Sequence, residues 1–592
     1  MPISDKEEKK LLKEIDDRAV TGVWAKLDRF FVIFFYILLT ISIIVVAATI
    51  YYYIPGMAAA NWGDDTVLVM GERKMGEGHV MVKEREIYIK LESLQINVDP
   101  YLFWDENEKT AIITTADKVV HIGSEALDTE VNLEPVSLEF PVIEEEGSYY
   151  LPLIFLSDFY KLAVNYIRST DTVIVDFIEE GDAEVATVTV EYLCLRERPD
   201  MRSPVLKITG KGERVRLEES SEDEEWARVR SQEGYVGYIL RQYLHLEDEY
   251  YNDRYSLPEQ EDVPSEKKIP EHPFVLVWEY VHRRTADTAD IGYMPSLNVV
   301  SPTWFHLRDS EGNLRNIADP GYVDWAKERG YEVWGLVTND FDPEMTAEFL
   351  SSSAARKNMI DQLLIFANLY DLDGINLDFE NFHSDYRDFY TQFARELAPL
   401  CKEAGLVLSV DVTFISTSTY WSLCYDRRAL GEIVDYMMVM AYDEHWGSSP
   451  VAGSVSSLPW VERNLQRVLQ EVPAEKVVLG VPFYTRRWKI EYPEDGGEKV
   501  SSSAYGMQTI EDILSEKDVT REWDEDALQN KVTYREDFTT YMVWMEDEDS
   551  MRRRIDIVNR YKLAGVAAWR RGFEKPEIWD VIRDELENYP VN

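Results

Sequence analysis

Cysteine is scarce in this 592-residue chain, with Cys194, Cys401 and Cys424 widely separated. Three distant thiols in no metal-ligand spacing argue against a disulfide framework. Histidine is nearly as thin, with eight scattered residues, no His-Glu-x-x-His and no paired ligands. A metal enzyme is therefore not expected. Positive charge is in short supply too: 62 Lys and Arg against 110 Asp and Glu leave a net charge of -48. Nucleic acid, which demands a basic surface, is not a fitting partner. So much acid serves solubility first. A glycine-rich phosphate loop is also missing after the first strand of the long C-terminal region, which argues against a dinucleotide-binding open sheet there.

The length requires several cores. Residues 30–54 form an uncharged run rich in Ile, Val, Phe and Tyr. About 20 such residues cross a bilayer core. Seven Lys and Arg precede the run (Lys6, Lys9, Lys10, Lys13, Arg18, Lys26 and Arg29), and the next basic residue is Arg73. The charge asymmetry predicts a cytoplasmic tail over 1–29, a single-pass membrane helix over 30–54, and everything after Pro55 on the cell-wall side. Tyr51, Tyr52, Tyr53 and Trp62 are placed for an interfacial belt. A signal peptide cleaved near Ala58-Ala59-Ala60 is the alternative.

Residues 67–178 hold an internal repeat. Tyr88, Leu91, Leu94, Trp104, Thr110 and Ile112 pair with Tyr150, Leu153, Leu156, Tyr166, Thr172 and Ile174. A repeated strand–helix–strand unit predicts a small α+β domain. It resembles the N-terminal domain of copper amine oxidases, with no metal ligands in evidence. Over 184–247 the chain turns Val-rich, with Gly210-Lys211-Gly212, Trp226 and Gly234-Tyr235-Val236-Gly237-Tyr238-Ile239. Short strands with regular turn signals predict a small β-barrel, and the order resembles a bacterial SH3 domain. Trp226 reads as core. Residues 248–272 are acidic and Pro-containing, a linker.

From 273 to 592, apolar strand-like runs alternate with helical patterns. The strands expected are 274–278, 297–302, 332–337, 374–379, 406–412, 436–440, 477–481 and 565–569. Eight β–α units of this size predict a TIM barrel, whose strand ends build the active site; a doubly wound sheet is the alternative. The fourth run reads Asp373-Gly374-Ile375-Asn376-Leu377-Asp378-Phe379-Glu380. Period-two alternation puts Asn376, Asp378 and Glu380 on one face and the apolar residues on the other. Two carboxyls so close perturb each other, holding one ionised and pushing the other toward a proton-donating form. Aromatic residues gather at other strand ends: Trp304 after the second, Met440-Ala441-Tyr442-Asp443 at the sixth, Pro482-Phe483-Tyr484 at the seventh and Trp569 at the eighth.

The octet resembles the DxxDxDxE signature of glycoside hydrolase family 18, with Asn376 where most chitinases have Asp. The sixth-, seventh- and eighth-strand motifs match the same family. The strings around Asn381, Asp443-Glu444-His445-Trp446 and Trp569-Arg570-Arg571-Gly572-Phe573-Glu574 resemble its Gram-positive spore-cortex and cell-wall N-acetylglucosaminidases. The resemblance implies a retaining, substrate-assisted glycosidase without cofactor. Glu380 would be the general acid, Asp378 the stabiliser of the substrate's acetamido group, Tyr442 a donor to that group, and Asn376 a hydrogen-bonding support for Asp378. Trp569 would floor the subsite. Asp443, Asn381, Tyr484, Trp304 and Met440 would contact substrate. The substrate implied is peptidoglycan or a related N-acetylglucosamine polymer. A chitinase-type hydrolase and a catalytically inactive carbohydrate-binding scaffold are the alternatives, and protein partners are unknown.

Overall fold

The computed structural model describes residues 5–53, 56–83, 85–124, 126–178, 184–218, 225–247, 270, 273–285, 287–493 and 496–590. The linker expected over 248–272 thus lies outside the described residues, Pro270 excepted. Two compact units are formed, one by residues 1–89 with 156–257 and the other by 90–155 with 258–592.

The first unit begins with one continuous helix, Asp5–Tyr53. Its stretch Arg29–Thr49 has a mean hydropathy of 2.9 and none of it is buried, so by length and composition it can cross a membrane. Trp62 does not join an interfacial belt. Its ring meets Tyr235 edge-on at 4.9 Å, its Nε1 donates to Thr172 Oγ1 at 2.9 Å, and Lys74 Nζ lies 4.3 Å from the ring centre. The small barrel is a seven-stranded sheet around Ala186, Val188, Leu195, Val215, Ala227, Val229 and Ile239. Trp226 is buried at the start of strand Trp226–Ser231.

The repeat is realised element for element. Strand Glu86–Lys90, helix Leu91–Asn97, and strands Phe103–Asp105 and Thr110–Thr114 answer to Ser148–Pro152, Leu153–Tyr160, Leu162–Ile167 and Thr172–Phe177. The expectation of one free-standing domain over 67–178 needs revision, because residues 90–155 cluster with the C-terminal barrel. The cause is apolar. Ile112 and Val119 join the barrel's outer core, and Phe103 packs on Phe389 at 5.8 Å. Asp105 Oδ2 accepts from the Ser353 N–H at 2.9 Å, one of the unpaired donors of the helix start there.

In the second unit eight parallel strands close on themselves: β1 (Phe274–Glu279), β2 (Val299–Leu307), β3 (Glu332–Thr338), β4 (Gly374–Asp378), β5 (Val407–Thr413), β6 (Tyr436–Met440), β7 (Val477–Pro482) and β8 (Gly565–Trp569). Each pairs in parallel with the next, and β8 returns to β1. The TIM barrel expected from the sequence is therefore present. Alternate residues build two cores. Ile375, Leu377 and Phe379 face outward into the helix layer. Phe274, Leu276, Trp278, Trp334, Leu336, Tyr436 and Met438 fill the interior. Gly374, which opens β4, has no room for a side chain: a Cβ would lie 2.8 Å from Val407 O and 2.9 Å from the Trp334 ring.

Between β7 and β8 the chain does not simply run through a helix. It builds a five-stranded antiparallel sheet from Tyr484–Glu491, Lys499–Gly506, Arg521–Asp524, Gln529–Glu536 and Thr539–Trp544. This insertion was not expected, and it moves Tyr484 from the end of a barrel strand to the start of an antiparallel one.

Two helices of the outer layer are tied by a fully buried ion pair. Arg356 donates to both carboxylate oxygens of Glu396, which also accepts from Gln392 Nε2 at 2.9 Å. Removing one partner of such a pair leaves an uncompensated charge and typically costs about 3–5 kcal/mol. Arg356→Met is expected to lower stability by that order in chemical denaturation. The double substitution Arg356→Met with Glu396→Leu should recover most of the loss, and equal losses in both would show that the lost stability comes from packing and not from charge.

Candidate active site

The strand-four carboxyls lie at the C-terminal end of the barrel. Asp378 ends β4 and Glu380 follows it. The Glu380 peptide is clamped by Asn339, whose Oδ1 accepts the Glu380 N–H at 3.0 Å while its Nδ2 donates to Glu380 O at 2.7 Å. Asn339 is wholly buried, and the same Nδ2 reaches Thr346 Oγ1 at 2.9 Å. Tyr425 holds the residue between the two acids, donating its hydroxyl to Phe379 O at 2.8 Å. Asp373, the first polar residue of the octet, accepts the Val333 N–H at 2.9 Å and pins β3 to β4.

Asn376 sits one layer below and is completely buried. Its Oδ1 accepts from Trp278 Nε1 at 3.0 Å and from Ser301 Oγ at 3.2 Å. Its Nδ2 donates to Ser409 Oγ at 3.1 Å and to Asp411 Oδ1 at 2.8 Å. An indole N–H can only donate, so the amide orientation is fixed by chemistry. All four hydrogen-bonding positions of the carboxamide are filled. The expectation that Asn376 supports Asp378 by a hydrogen bond is not met, because both its hydrogens are committed to β5. Asp378 Oδ1 is buried with no hydrogen-bond partner.

Asp411 was not singled out from the sequence, and neither were Trp278, Ser301, Ser409 and Asn339. Asp411 brings a third carboxyl into the barrel. Burial raises the Asp378 carboxyl to about 7. Glu380 is pushed well above the ordinary range by burial first, then by the negative charges of Asp378, Asp411 and Asp443. Asp411 is raised by burial and by Asp378, against the hydrogen bonds from Asn376 and Trp278. A carboxyl that keeps its proton to neutral pH can donate it to a leaving oxygen.

The rings expected around these acids are partly there. Tyr442 and Trp569 are half-buried and pack on the inner core, with Trp569 6.1 Å from Trp278. Tyr442 meets Tyr484 edge-on at 6.2 Å, and the Tyr484 hydroxyl donates to Asp443 Oδ1 at 2.6 Å, where Arg486 also binds at 3.1 Å. Asp443 and Asn381 both hold positive φ, at 58° and 56°, a conformation that Asn and Asp tolerate best among residues with a Cβ. Asn381 Nδ2 donates to Phe341 O at 2.9 Å and so braces the loop after β3. Met440 is buried at the end of β6. Trp304 is corrected. Strand β2 runs on to Leu307, so Trp304 lies inside it, fully buried, stacked edge-on against Tyr322 at 5.8 Å. It is a core residue and offers no face to a sugar.

A parallel β/α barrel with acid groups and aromatic rings at its C-terminal end defines an enzyme-type site. Comparison with known proteins makes the class particular. Residues 342–574 match the model of glycosyl hydrolases family 18, residues 191–245 the bacterial SH3 domain and residues 69–175 the copper amine oxidase N-terminal domain. The chain carries a family 18 glycoside hydrolase barrel. It is 26% identical over 315 residues to the uncharacterized glycosylase YvbX of Bacillus subtilis, covering 50% of this chain and 89% of that one. It is 25% identical over 258 residues to the cortical fragment-lytic enzyme of Bacillus subtilis, covering 43% and 59% respectively. The crystal structure of the spore cortex-lytic enzyme of Bacillus megaterium superposes with a TM-score of 0.48 at 21% identity, over 54% of this chain and 75% of that one.

The raised carboxyl makes stability depend on pH in a definite sense. An unfolded Asp loses its proton near about pH 4, whereas Asp378 keeps it to about 7. Between these values the native state binds more protons than the unfolded chain, so the contribution is full below the lower value and lost as pH rises through the upper one. Asp378→Asn has no proton to lose. Its melting temperature relative to the native chain should therefore rise by a few degrees between about pH 4.5 and about pH 8, the shift that roughly 1 kcal/mol makes in a large domain. A flat difference across that interval would mean that Asp378 is ionised throughout.

Proposed function

We propose that the protein is a membrane-anchored glycosidase that cleaves N-acetylglucosamine-containing cell-wall glycan, peptidoglycan or spore cortex, by a retaining, substrate-assisted mechanism. The observation that carries the reading is the placing of Asp378 and Glu380 together at the barrel's C-terminal end, beside the Tyr442 and Trp569 rings. The name of the cortical fragment-lytic relative supports the substrate class.

Most glycosidases use two flanking carboxyls, and the family exception recruits the substrate's own acetamido group. Here Glu380, held proton-bearing by burial and its acidic neighbours, protonates the glycosidic oxygen. The acetamido carbonyl attacks the anomeric carbon, forming an oxazolinium ion. Asp378 accepts the acetamido N–H and stabilises the positive charge. Tyr442 donates to the acetamido oxygen, and Trp569 lies beneath the sugar. Glu380, now a carboxylate, takes a proton from water, which opens the bicyclic ion with retained configuration. An intramolecular nucleophile so placed removes several kcal/mol from the barrier. Asn381, Asp443, Tyr484 and Met440 frame the subsite, and no cofactor enters the scheme.

Glu380→Gln keeps the shape but cannot act as an acid. Digestion of purified peptidoglycan by the full chain in detergent, with mass analysis of new reducing ends, should fall by about 10²–10⁴-fold in this variant while glycan binding persists. A thiazoline mimic of the bicyclic intermediate should inhibit, and de-acetylated glycan should resist cleavage. A glycosyl adduct trapped on Asp378 or Glu380, or efficient cleavage of the de-acetylated polymer, would rule out the substrate-assisted path.

The apolar helix stretch Arg29–Thr49 and its basic N-terminal flank place the barrel on the wall side in this reading. Protease added to cells stripped of wall should digest the chain beyond Pro55. Protection would reverse the topology, and a mature N-terminus near Ala60 would replace the anchor by a cleaved signal.

A further inference from the structure

The pairing of β4 with β5 sets Asn376 opposite Ser409 and Leu377 opposite Val410. The next residues along the two strands are Asp378 and Asp411. Neighbouring parallel strands lie about 4.8 Å apart, and residues in step on them share a face. Asn376 and Ser409, two positions earlier, point into the barrel and bond to each other there. Asp378 and Asp411 therefore point inward too, side by side. Asp411 is almost completely buried. Its Oδ1 is anchored by Asn376, which is itself locked by Trp278 and Ser301. Asp411 thus cannot swing away from Asp378 without breaking a network that spans β1, β2, β4 and β5.

The groups facing this pair are acidic or neutral. Glu380 stands beyond Asp378 on the same strand, Asp443 follows β6, and the phenols of Tyr390, Tyr425 and Tyr442 approach from the helix layer and from the ends of β5 and β6. Among the described residues no Lys, Arg or His figures among the charges acting on Asp378, Glu380 or Asp411. Like-charged carboxyls held together in a low-dielectric site cannot all ionise, so their protons come off in steps that belong to the group.

We propose that Asp411 is a positioning residue for the reaction, a partner carboxyl that from the neighbouring strand sets the pH at which Asp378 becomes an anion and Glu380 gives up its proton. This rests on the reading of Asp378 and Glu380 as the reacting carboxyls. Asp411 does not touch the sugar. Its charge keeps Glu380 supplied with a proton at neutral pH and delays ionisation of Asp378. Asn376 is the hinge of the arrangement, because its amide can donate to Asp411 where a second carboxylate could not.

The test is Asp411→Asn in the full chain, kept in detergent, with two readouts. Asparagine is the same size and still accepts from Asn376. In the pH dependence of peptidoglycan cleavage, both limbs of the profile should move to lower pH by about half a unit or more, because both reacting carboxyls lose a repelling neighbour. At neutral pH kcat should fall about tenfold or more with KM changed far less, since the fraction of Glu380 still protonated shrinks. Infrared titration of protonated buried carboxyls is the second readout and needs no turnover. One such carboxyl should vanish in Asp411→Asn, and the midpoint of those remaining should move in the same acid direction. Ser409→Ala removes the other acceptor of Asn376 but keeps the carboxyl, and should leave the limbs in place. Limbs and infrared midpoint that stay put in a folded Asp411→Asn overturn the proposal, as does Ser409→Ala moving them equally. If Asp411→Asn does not fold, the native chain decides. Two buried carboxyls titrating in linked steps support the pair, and one carboxyl titrating alone refutes it. Infrared linkage in a native chain that cleaves no acetylated glycan would leave the carboxyl pair standing and defeat the functional reading instead.

Discussion

Three carboxyls inside one ring of strands set the terms for the rest of this barrel. Each would be solvated in water, and within the protein each is penalised by burial and by the other two. An isolated buried carboxylate is so costly that the group keeps its proton instead. The barrel meets this condition with neutral donors and rigid packing. Asn339 clamps the Glu380 peptide from both sides, Tyr425 pins Phe379, and Asn376 ties β4 to three other strands. Below them, Trp278, Trp334 and Met438 close the interior to water. The acids are left with no way to relax except by holding protons, which is the condition an acid catalyst needs at neutral pH.

Much of this was legible in the chain because strand periodicity is local. Alternation over Ile375–Glu380 is enough to say which residues share a face, and the apolar runs located all eight barrel strands within a few residues. Their order follows from the regular β–α rhythm. What could not be read is convergence. Asp411 lies in Leu408-Ser409-Val410-Asp411-Val412, where a single acid alternates with apolar residues as a surface strand also would. Only the register of β4 against β5 turns it into a neighbour of Asp378. Asn339 likewise stands 41 residues from Glu380, in a loop with no periodic signal. The misreading of Trp304 had a different cause. Pro302 looked like the end of β2, but the strand continues through it to Leu307 and takes the ring into the core. The insertion after β7 was hidden because its exposed strands, such as Lys499–Gly506, carry few apolar residues. The repeat was found by self-similarity, which says that two segments fold alike but not which core each will join.

The location of the aromatic rings follows from the same geometry. Tyr442 and Trp569 lie just past or at the ends of β6 and β8, where the inner core gives way to the mouth. A ring there can bury one edge in the barrel and leave a face open, which is how aromatic residues combine anchoring with recognition. Tyr484 reaches the same region from the inserted sheet and fixes Asp443 by a hydrogen bond. The insertion therefore contributes to the framing of the mouth as well as extending the fold.

The identity of residue 376 follows from the hydrogen-bond count. The position faces two groups that can donate, Trp278 and Ser301, and one carboxyl that in its ionised form can only accept, Asp411. A carboxamide serves both sides at once, since its oxygen accepts and its nitrogen donates. An Asp here could satisfy Trp278 and Ser301, but would meet Asp411 oxygen to oxygen at the 2.8 Å now spanned by an N–H donor, and would need a proton of its own to do so. The carboxyl absent from β4 and the carboxyl present on β5 are in this sense one choice. Once Asp411 occupies the barrel, Asn at 376 is the neutral residue that can hold it without adding a fourth charge to the group.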